Sequence, residues 1–432
     1  QDNGYSQVGG IVGYLVDSSV TESFSSVIID SNGGSLGSLV GFCTTADGGS
    51  GSSITNSYAT GAVTSQNDSD FVGGLTGGLQ NTSVTNSYAT GEVTSTASSN
   101  VGGLVGGELG SSSVVTNSFY DTETSGLNVT AVGGTGKTTE EMQQASTFLE
   151  ANWDFTSSNE IWGINPNDNN GYPFLRSQGF TPDHIFVGSS SNSQGVGSNW
   201  SEASVPTSTS AIRIPSETAS NNTNLEVDED FEMASLFIEN EDGNLVVIPT
   251  KSIKVNGNIT NNGQITFKSD ATGDAYFDEF SGSISGTGEV VVEKFYPAER
   301  AFRMVTSPVT GGSIFDNWQN GGANETGIGT HITGEVGTVG EHNSTTGLDY
   351  TISGNPSMFY FDSGWQAVAD SKNRDLEAGV PYRLMVRGDR GIDLSDNDSE
   401  GATTLLSTGD LKVGSISPTF PSATSVSNTF AF

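Results

Sequence analysis

Two decapeptides, residues 56–65 (NSYATGAVTS) and 86–95 (NSYATGEVTS), lie thirty residues apart and differ at one position. Each follows a glycine-rich stretch, and these stretches begin at Val8 (VGGIVG), Leu36 (LGSLVG), Val72 (VGGLTG) and Val101 (VGGLVG), separated by 28, 36 and 29 residues. A period in this range predicts a solenoid, in which each unit buries its apolar face only against its neighbours. Four coils are expected, each continuing into a Thr/Ser/Val strand from Ser19, Ser53, Ser83 and Val114. The unequal spacing is assigned to polar links outside the coil, the longest being 42–52, where the single Cys43 is read as a small filler.

Within the repeats β-branched residues alternate with small or polar ones, which favours strand over helix. Glycine suits the corners and the close stacking of successive turns. Tyr58, Tyr88 and Phe119 fall at equivalent positions. They read as a stacked ladder inside the solenoid in preference to a carbohydrate-stacking face, because burial is the usual use of such rings.

Over about residues 8–175 the pattern resembles the GLUG-motif repeats of large bacterial surface and secreted proteins. The resemblance implies a closing segment after the array, and residues 137–150 (KTTEEMQQASTFLE) fit its short helix. Thr138 and Glu141 have the spacing of a capping box. Trp153, Phe155, Trp162 and residues 172–175 (YPFL) supply aromatics to cover the apolar end of the last coil. The first coil has no comparable cover and no charged, apolar leader precedes it, so earlier natural sequence or a removed signal peptide is expected.

Beyond Phe180 the glycine rhythm stops. Short apolar-alternating runs at 225–227, 235–238, 244–248, 252–255, 264–267 and 289–292, separated by Asn, Asp or Gly, suit either a second small solenoid or a flattened β-sandwich. A third texture starts near Val290. Residues 290–309 (VVVEKFYPAERAFRMVTSPV), 355–365 (NPSMFYFDSGW) and 379–394 (GVPYRLMVRGDRGIDL) resemble segments of modular extracellular proteins of the Bacteroidota, which implies a β-sandwich and export by type IX secretion. The expected fold is therefore all-β: a GLUG-repeat β-solenoid over 1–136, a helix and aromatic capping segment over 137–180, a β-rich solenoid or sandwich module over 181–292, and a C-terminal β-sandwich over 293–432.

Fifty acidic against 15 basic side chains give a net charge of −35, which repels nucleic acid and anionic membranes. No run of about 18 apolar residues is present to span a bilayer. Residues 1–136 contain no Lys, Arg or His, so no side chain there can act as a cationic base or clamp an acidic sugar. His184, His331 and His342 lie far apart and read as loop residues, without metal-ligand spacing. No P-loop, GxSxG or CxxC pattern occurs, and catalysis is not expected.

Residues 396–401 place Asp396, Asp398 and Glu400 at the first, third and fifth positions before Gly401, the front half of a calcium loop. Position twelve is Ser407, so an isolated calcium turn remains open while a full EF-hand does not; the competing reading is a solvated acidic bend, which is preferred. The tripeptide at 387–389 (RGD) reads as a hairpin corner in preference to an adhesion motif, and the sequon at Asn199 needs a glycosylation system. The expected function is a non-catalytic structural or adhesive protein, extracellular or on the outer surface of a Gram-negative bacterium, contacting cell-surface glycans, other surface proteins or its own copies. The alternative is a polysaccharide-active enzyme, or its carbohydrate-binding portion, using the solenoid flank as a groove; an ice-binding surface is more remote.

Overall fold

A computed structural model describes residues 6–66, 71–97, 99–156, 161–216, 224–396 and 400–414. The fold is all-β, with many short strands and a few helices of at most six residues. It divides into two compact units, Gln1–Asp183 and the chain from His184 onward.

In the first unit four successive coils pair in parallel. The four glycine-rich starts are in register, Val8 with Leu36, Leu36 with Val72 and Val72 with Val101. At the next position Gly9, Gly37, Gly73 and Gly102 recur, and a Cβ on any of them would overlap the carbonyl oxygen three residues ahead. Only glycine lets the chain turn that tightly. The extra length of the second coil lies mostly at 45–52, between the strands Val40–Thr44 and Ser53–Thr55. Cys43 is thus in a strand and not in a link. Its side chain is fully buried among Leu15, Leu39 and Leu79, and burial pushes its thiol up to about 11.

The repeated NSYATG motif has a physical reading residue by residue. Asn56, Asn86 and Asn117 each take a left-handed conformation, φ 49°, 49° and 47°, which asparagine tolerates better than most residues and which turns the chain between sheets. The following serine stitches coils together: Ser87 Oγ accepts from Ser57 N at 3.2 Å and donates to the Thr85 carbonyl at 2.9 Å. Ser57 and Ser118 repeat both bonds with their own neighbours. Because successive strand residues point to opposite faces, Ala59, Ala89 and Tyr120 enter the coil interior while Tyr58, Tyr88 and Phe119 point out of it. The aromatic ladder is therefore outside the coil, contrary to the sequence expectation. In the second and third coils small alanines point inward and rings outward, which suits the narrow interior, and in the fourth the ring of Tyr120 takes the inward position.

That ladder is nevertheless buried, because the closing segment lies along it. Tyr58 and Tyr88 stack at 4.9 Å with ring planes 1° apart, and Trp162 packs on both at 6.2 and 6.1 Å. Phe148 and Trp153 cover Phe119 at 5.4 and 5.9 Å. The aromatics thus cover the flank of coils two to four, whereas the expectation placed them over the end of the last coil. The tyrosine hydroxyls are satisfied: Tyr88 Oη donates to the Pro173 carbonyl at 2.6 Å and accepts from Asn169 at 2.7 Å, and Tyr172 Oη donates to Asp121 at 2.7 Å, whereas the Trp162 indole N–H is buried without a partner among the described residues. The strand Thr135–Lys137 continues the sheet, and the Thr138–Glu141 capping box opens the helix Thr139–Met142.

The second unit begins with three parallel ladders. One runs through Ala211–Ile214, Ser235–Ile238, Ile259–Asn261 and Ile284–Ser285; another through Asn224–Val227, Asn244–Val247, Gln264–Phe267 and Glu289–Tyr296; a third through Phe231–Met233, Ser252–Val255 and Tyr276–Phe277. Their pairing is that of stacked coils, whereas a sandwich would pair its strands antiparallel. Leu225, Leu245, Ile265 and Val290 share one register position and fill the interior. A buried pair, Arg213 with Glu239 at 2.9 Å, lies on these coils, its guanidinium 4.5 Å from the Phe237 ring centre.

Strand Glu289–Tyr296 then changes partner. Its first half pairs in parallel with Gln264–Phe267, and along nearly its whole length it pairs antiparallel with Thr403–Leu411. A second antiparallel sheet, in the order Ala301–Val305, Tyr382–Val386, Met358–Phe361, Trp365–Ala367, contributes Val305, Tyr382, Leu384 and Met358 to a core shared with Trp318, Ile332 and Leu405.

Candidate functional site

The acidic turn is only partly described. Asp398 lies outside the described residues, together with its neighbours 397 and 399. Asp396 and Glu400 are exposed, and Glu400 Oε2 accepts a hydrogen bond from the Arg300 N–H at 3.3 Å. Among the described residues no three His, Cys, Asp or Glu side chains gather in a way that could hold a metal ion.

In the tripeptide at 387–389 the aspartate is turned inward. Asp389 is buried, its carboxylate accepting from the N–H groups of Gly327 and Gly391 at 2.8 Å each. Next to it Arg390 is buried too, and its fork meets both oxygens of Asp349 at 2.8 and 2.9 Å while donating to the carbonyls of Gly322, Ala323 and Thr330. Asp349 also accepts from Gln319 and from the Ile332 N–H at 3.0 Å each, and His331 Nδ1 lies 3.3 Å away. Burial alone would raise the Asp349 carboxyl, but His331 and Arg390 outweigh it and hold the group below its ordinary value. Every atom of this carboxylate is committed to holding the 319–332 segment against the core, so it has no capacity left for a ligand. His331 is therefore a buried structural residue. Asn199 is likewise buried, donating to Ser191 and the Ser193 carbonyl, which closes that sequon to a glycan.

The coil flanks of the first unit present hydroxyl rows. Ser19, Ser53 and Ser83 share one register position and Thr21, Thr55, Thr85 and Thr116 another, with Thr85 and Thr116 hydroxyls 3.2 Å apart. The first coil exposes Ile11, Tyr14, Phe24 and Ile28, Phe24 being the uncovered end of the Tyr58–Tyr88 ladder.

Exposed aromatic side chains gather on the outer face of the C-terminal sheet. Phe302 and Met304 point outward from Ala301–Val305 and are 41 and 47 % exposed; Trp365 at the far edge is 39 % exposed. Register places Met304 opposite Arg383, Arg383 opposite Phe359, and Phe361 opposite Trp365. The Arg383 guanidinium lies 4.1 Å from the Phe302 ring centre and 5.6 Å from that of Phe359. Among the described residues no carboxylate pairs with Arg383. Sequence reasoning passed over this face. The available signal was the strand Met358–Phe361 (MFYF), which is apolar in both alternation phases and so cannot hide both sets of side chains in one core.

Comparison with known proteins agrees with the repeat. The family model described as the GLUG motif matches residues 72–94, the third coil from its glycine-rich start to the strand Val93–Ser95. A protein of Evansella cellulosilytica provisionally described as a Gly-rich membrane protein is 32 % identical over 153 residues, which is 35 % of this chain. The chain spans about 13 % of that relative's length. No solved structure matches. No helix among the described residues is long and apolar enough to cross a membrane, a statement that leaves β-barrels aside. The chain is thus an all-β protein carrying a GLUG motif and similar over part of its length to a Gly-rich membrane protein.

Proposed function

We propose that this chain is a non-catalytic scaffold of the extracellular space or outer surface of a Gram-negative bacterium, a β-solenoid of GLUG repeats that presents further β-modules for contact with glycans, other surface proteins or its own copies. The observation that carries this reading is how the coils of the first unit spend their residues. Interiors are filled mainly by Leu, Val, Ile and Ala, the aromatic row from Tyr58 to Phe119 is sealed under the closing segment, and the outward positions of the Ser-x-Thr strands are hydroxyls. Residues 1–136 bring no Lys, Arg or His to any of these surfaces. Such a body offers stacking and reach, and it brings no cationic side chain to act as a base or to clamp an acidic sugar.

Type IX export from a bacterium of the Bacteroidota belongs to the same reading and rests on the textures of 290–309 and 379–394. Labelling intact cells with an antibody to the chain should stain the surface; a signal confined to lysed cells would overturn the proposal. A second reading, the carbohydrate-binding portion of a polysaccharide-active enzyme, is favoured by the exposed rings around Arg383. Turnover of a polysaccharide by the purified chain, abolished by one carboxylate substitution, would replace the scaffold reading with it. Calcium enters only through the turn bearing Asp396, Asp398 and Glu400. If that turn binds the ion, millimolar calcium raises the melting temperature by mass action, and an unchanged melt removes calcium from the account.

A further inference from the structure

We infer that the outer face of the C-terminal sheet is a binding surface for an anionic polysaccharide, with Phe302, Phe359 and Trp365 as the stacking platform and Arg383 as the group that meets the carboxylate or sulfate. The inference rests on the surface-scaffold reading and names the partner class and the place of contact. Three observations carry it. First, the outward residues of four adjacent strands form one apolar face, running about 14 Å across the three strand spacings from Phe302 to Trp365. A continuous exposed face of this kind marks an interaction site more often than idle surface. Flat rings present faces on which the C–H side of a sugar ring can lie while their neighbours exclude water.

Second, the cation is placed within the aromatic surface and left open. Arg383 lies over Phe302 and Phe359, which fixes its plane without using its N–H donors. A planar fork with free donors is the side chain best matched to a carboxylate or sulfate, because it can bond two oxygens at once. Arg387 follows on the same side of the chain, half-buried, with its Nε unpaired. Burial, and secondarily the charge of Arg300, pushes its guanidinium below the ordinary value, and the attraction of a nearby anion would offset both.

Third, the charge distribution of the chain makes this arrangement a specific one. Nine of the 15 basic residues fall between Lys294 and Lys412, a span that also holds 16 acidic ones, so the positive charge on this face is that of Arg383 itself, set among the rings without a carboxylate partner among the described residues. A chain of net charge −35 repels polyanions everywhere else, so attraction has to be local. Charge complementarity thus selects an anionic partner over a neutral one.

The test uses the full chain in affinity electrophoresis through gels containing polygalacturonate, dextran sulfate or unmodified dextran. Retardation is expected in one or both polyanion gels, with dextran alone giving none; which polyanion retards tells carboxylate from sulfate. Arg383→Gln should weaken the apparent affinity at least tenfold, and added salt should weaken the native chain in the same direction. Trp365→Ala, at the sheet edge, is the second variant; it should weaken binding severalfold while the thermal melt stays where it was. No retardation by either polyanion, equal retardation by unmodified dextran, or unchanged binding in both variants would overturn the inference. So would sedimentation showing that the face pairs two copies of the chain and that Trp365→Ala separates them. None of these failures touches the scaffold reading, which stands or falls on the surface labelling.

Discussion

The two units use aromatic residues in opposite ways. In the first, Tyr58 and Tyr88 leave the coil interior but are sealed by Trp153, Trp162 and Phe148, and each hydroxyl finds a partner. Burial pushes the Tyr58 phenol up to about 12 and raises that of Tyr88 well above its ordinary value. In the second, Phe302 and Trp365 also leave the core, but nothing among the described residues seals them. The same outward geometry gives a structural seam in one place and a candidate contact surface in the other. What separates them is whether the chain supplies a cover and whether a cation is left among the rings.

The comparison breaks most visibly at Tyr88. Tyr88→Ala removes a ring touched by Tyr58, Trp153, Trp162 and Tyr172 and leaves a cavity beneath the closing segment, so a loss of about 3–5 kcal/mol is expected by denaturant unfolding. A loss below about 1 kcal/mol would mean that the closing segment does not seal the ladder. The second effect is on the other unit and comes with acid. Asp349 ionises below its ordinary 3.8 in the folded state, so its contribution is fully present above that value and is lost as pH falls through the lower folded one. Calorimetry from neutral pH to pH 3 should show the transition of the second unit moving down. A flat profile would contradict the Arg390–Asp349 pairing. A smaller change is expected at Ser87, where Ala removes the acceptor of the Ser57 N–H inside the stack: about 1–3 kcal/mol, since the orphaned donor has no water to turn to.

Much of this was legible in the residues. The four glycine-rich starts gave the stacking register without error, because a parallel ladder repeats its sequence from coil to coil. The capping box at Thr138 and the short strands from Leu225 to Phe267 were likewise in place. Two things were not legible. A two-residue strand such as Tyr58–Ala59 gives no alternation from which to choose a face, so the ladder was assigned to the wrong side. The choice between a second stack and a sandwich turned on whether neighbouring strands run parallel, and Asn-Gly turns serve both arrangements. The Arg383 surface was missed for a different reason. Its members come from four strands spread over residues 301–386, and only the sheet order brings Phe302 beside Arg383 and Arg383 beside Phe359.

The finest test of the comparison is a substitution expected to do almost nothing to stability. Phe302 is 41 % exposed and its defined neighbours are Arg383 at 4.1 Å and Phe359 at 6.1 Å. Phe302→Ala gives up one cation–π contact at an open site and some half-buried ring area, so roughly 1 kcal/mol or less is expected in the same unfolding assay that costs several for Tyr88→Ala. The outcome is informative because the two rings are alike in size and in pointing away from their coil or core. If Phe302→Ala proved as costly as Tyr88→Ala, the face would be a covered seam, held by contacts beyond those described. If it is cheap, the chain keeps Phe302, Phe359 and Arg383 together at little benefit to its own fold, and their arrangement is then explained by what they touch.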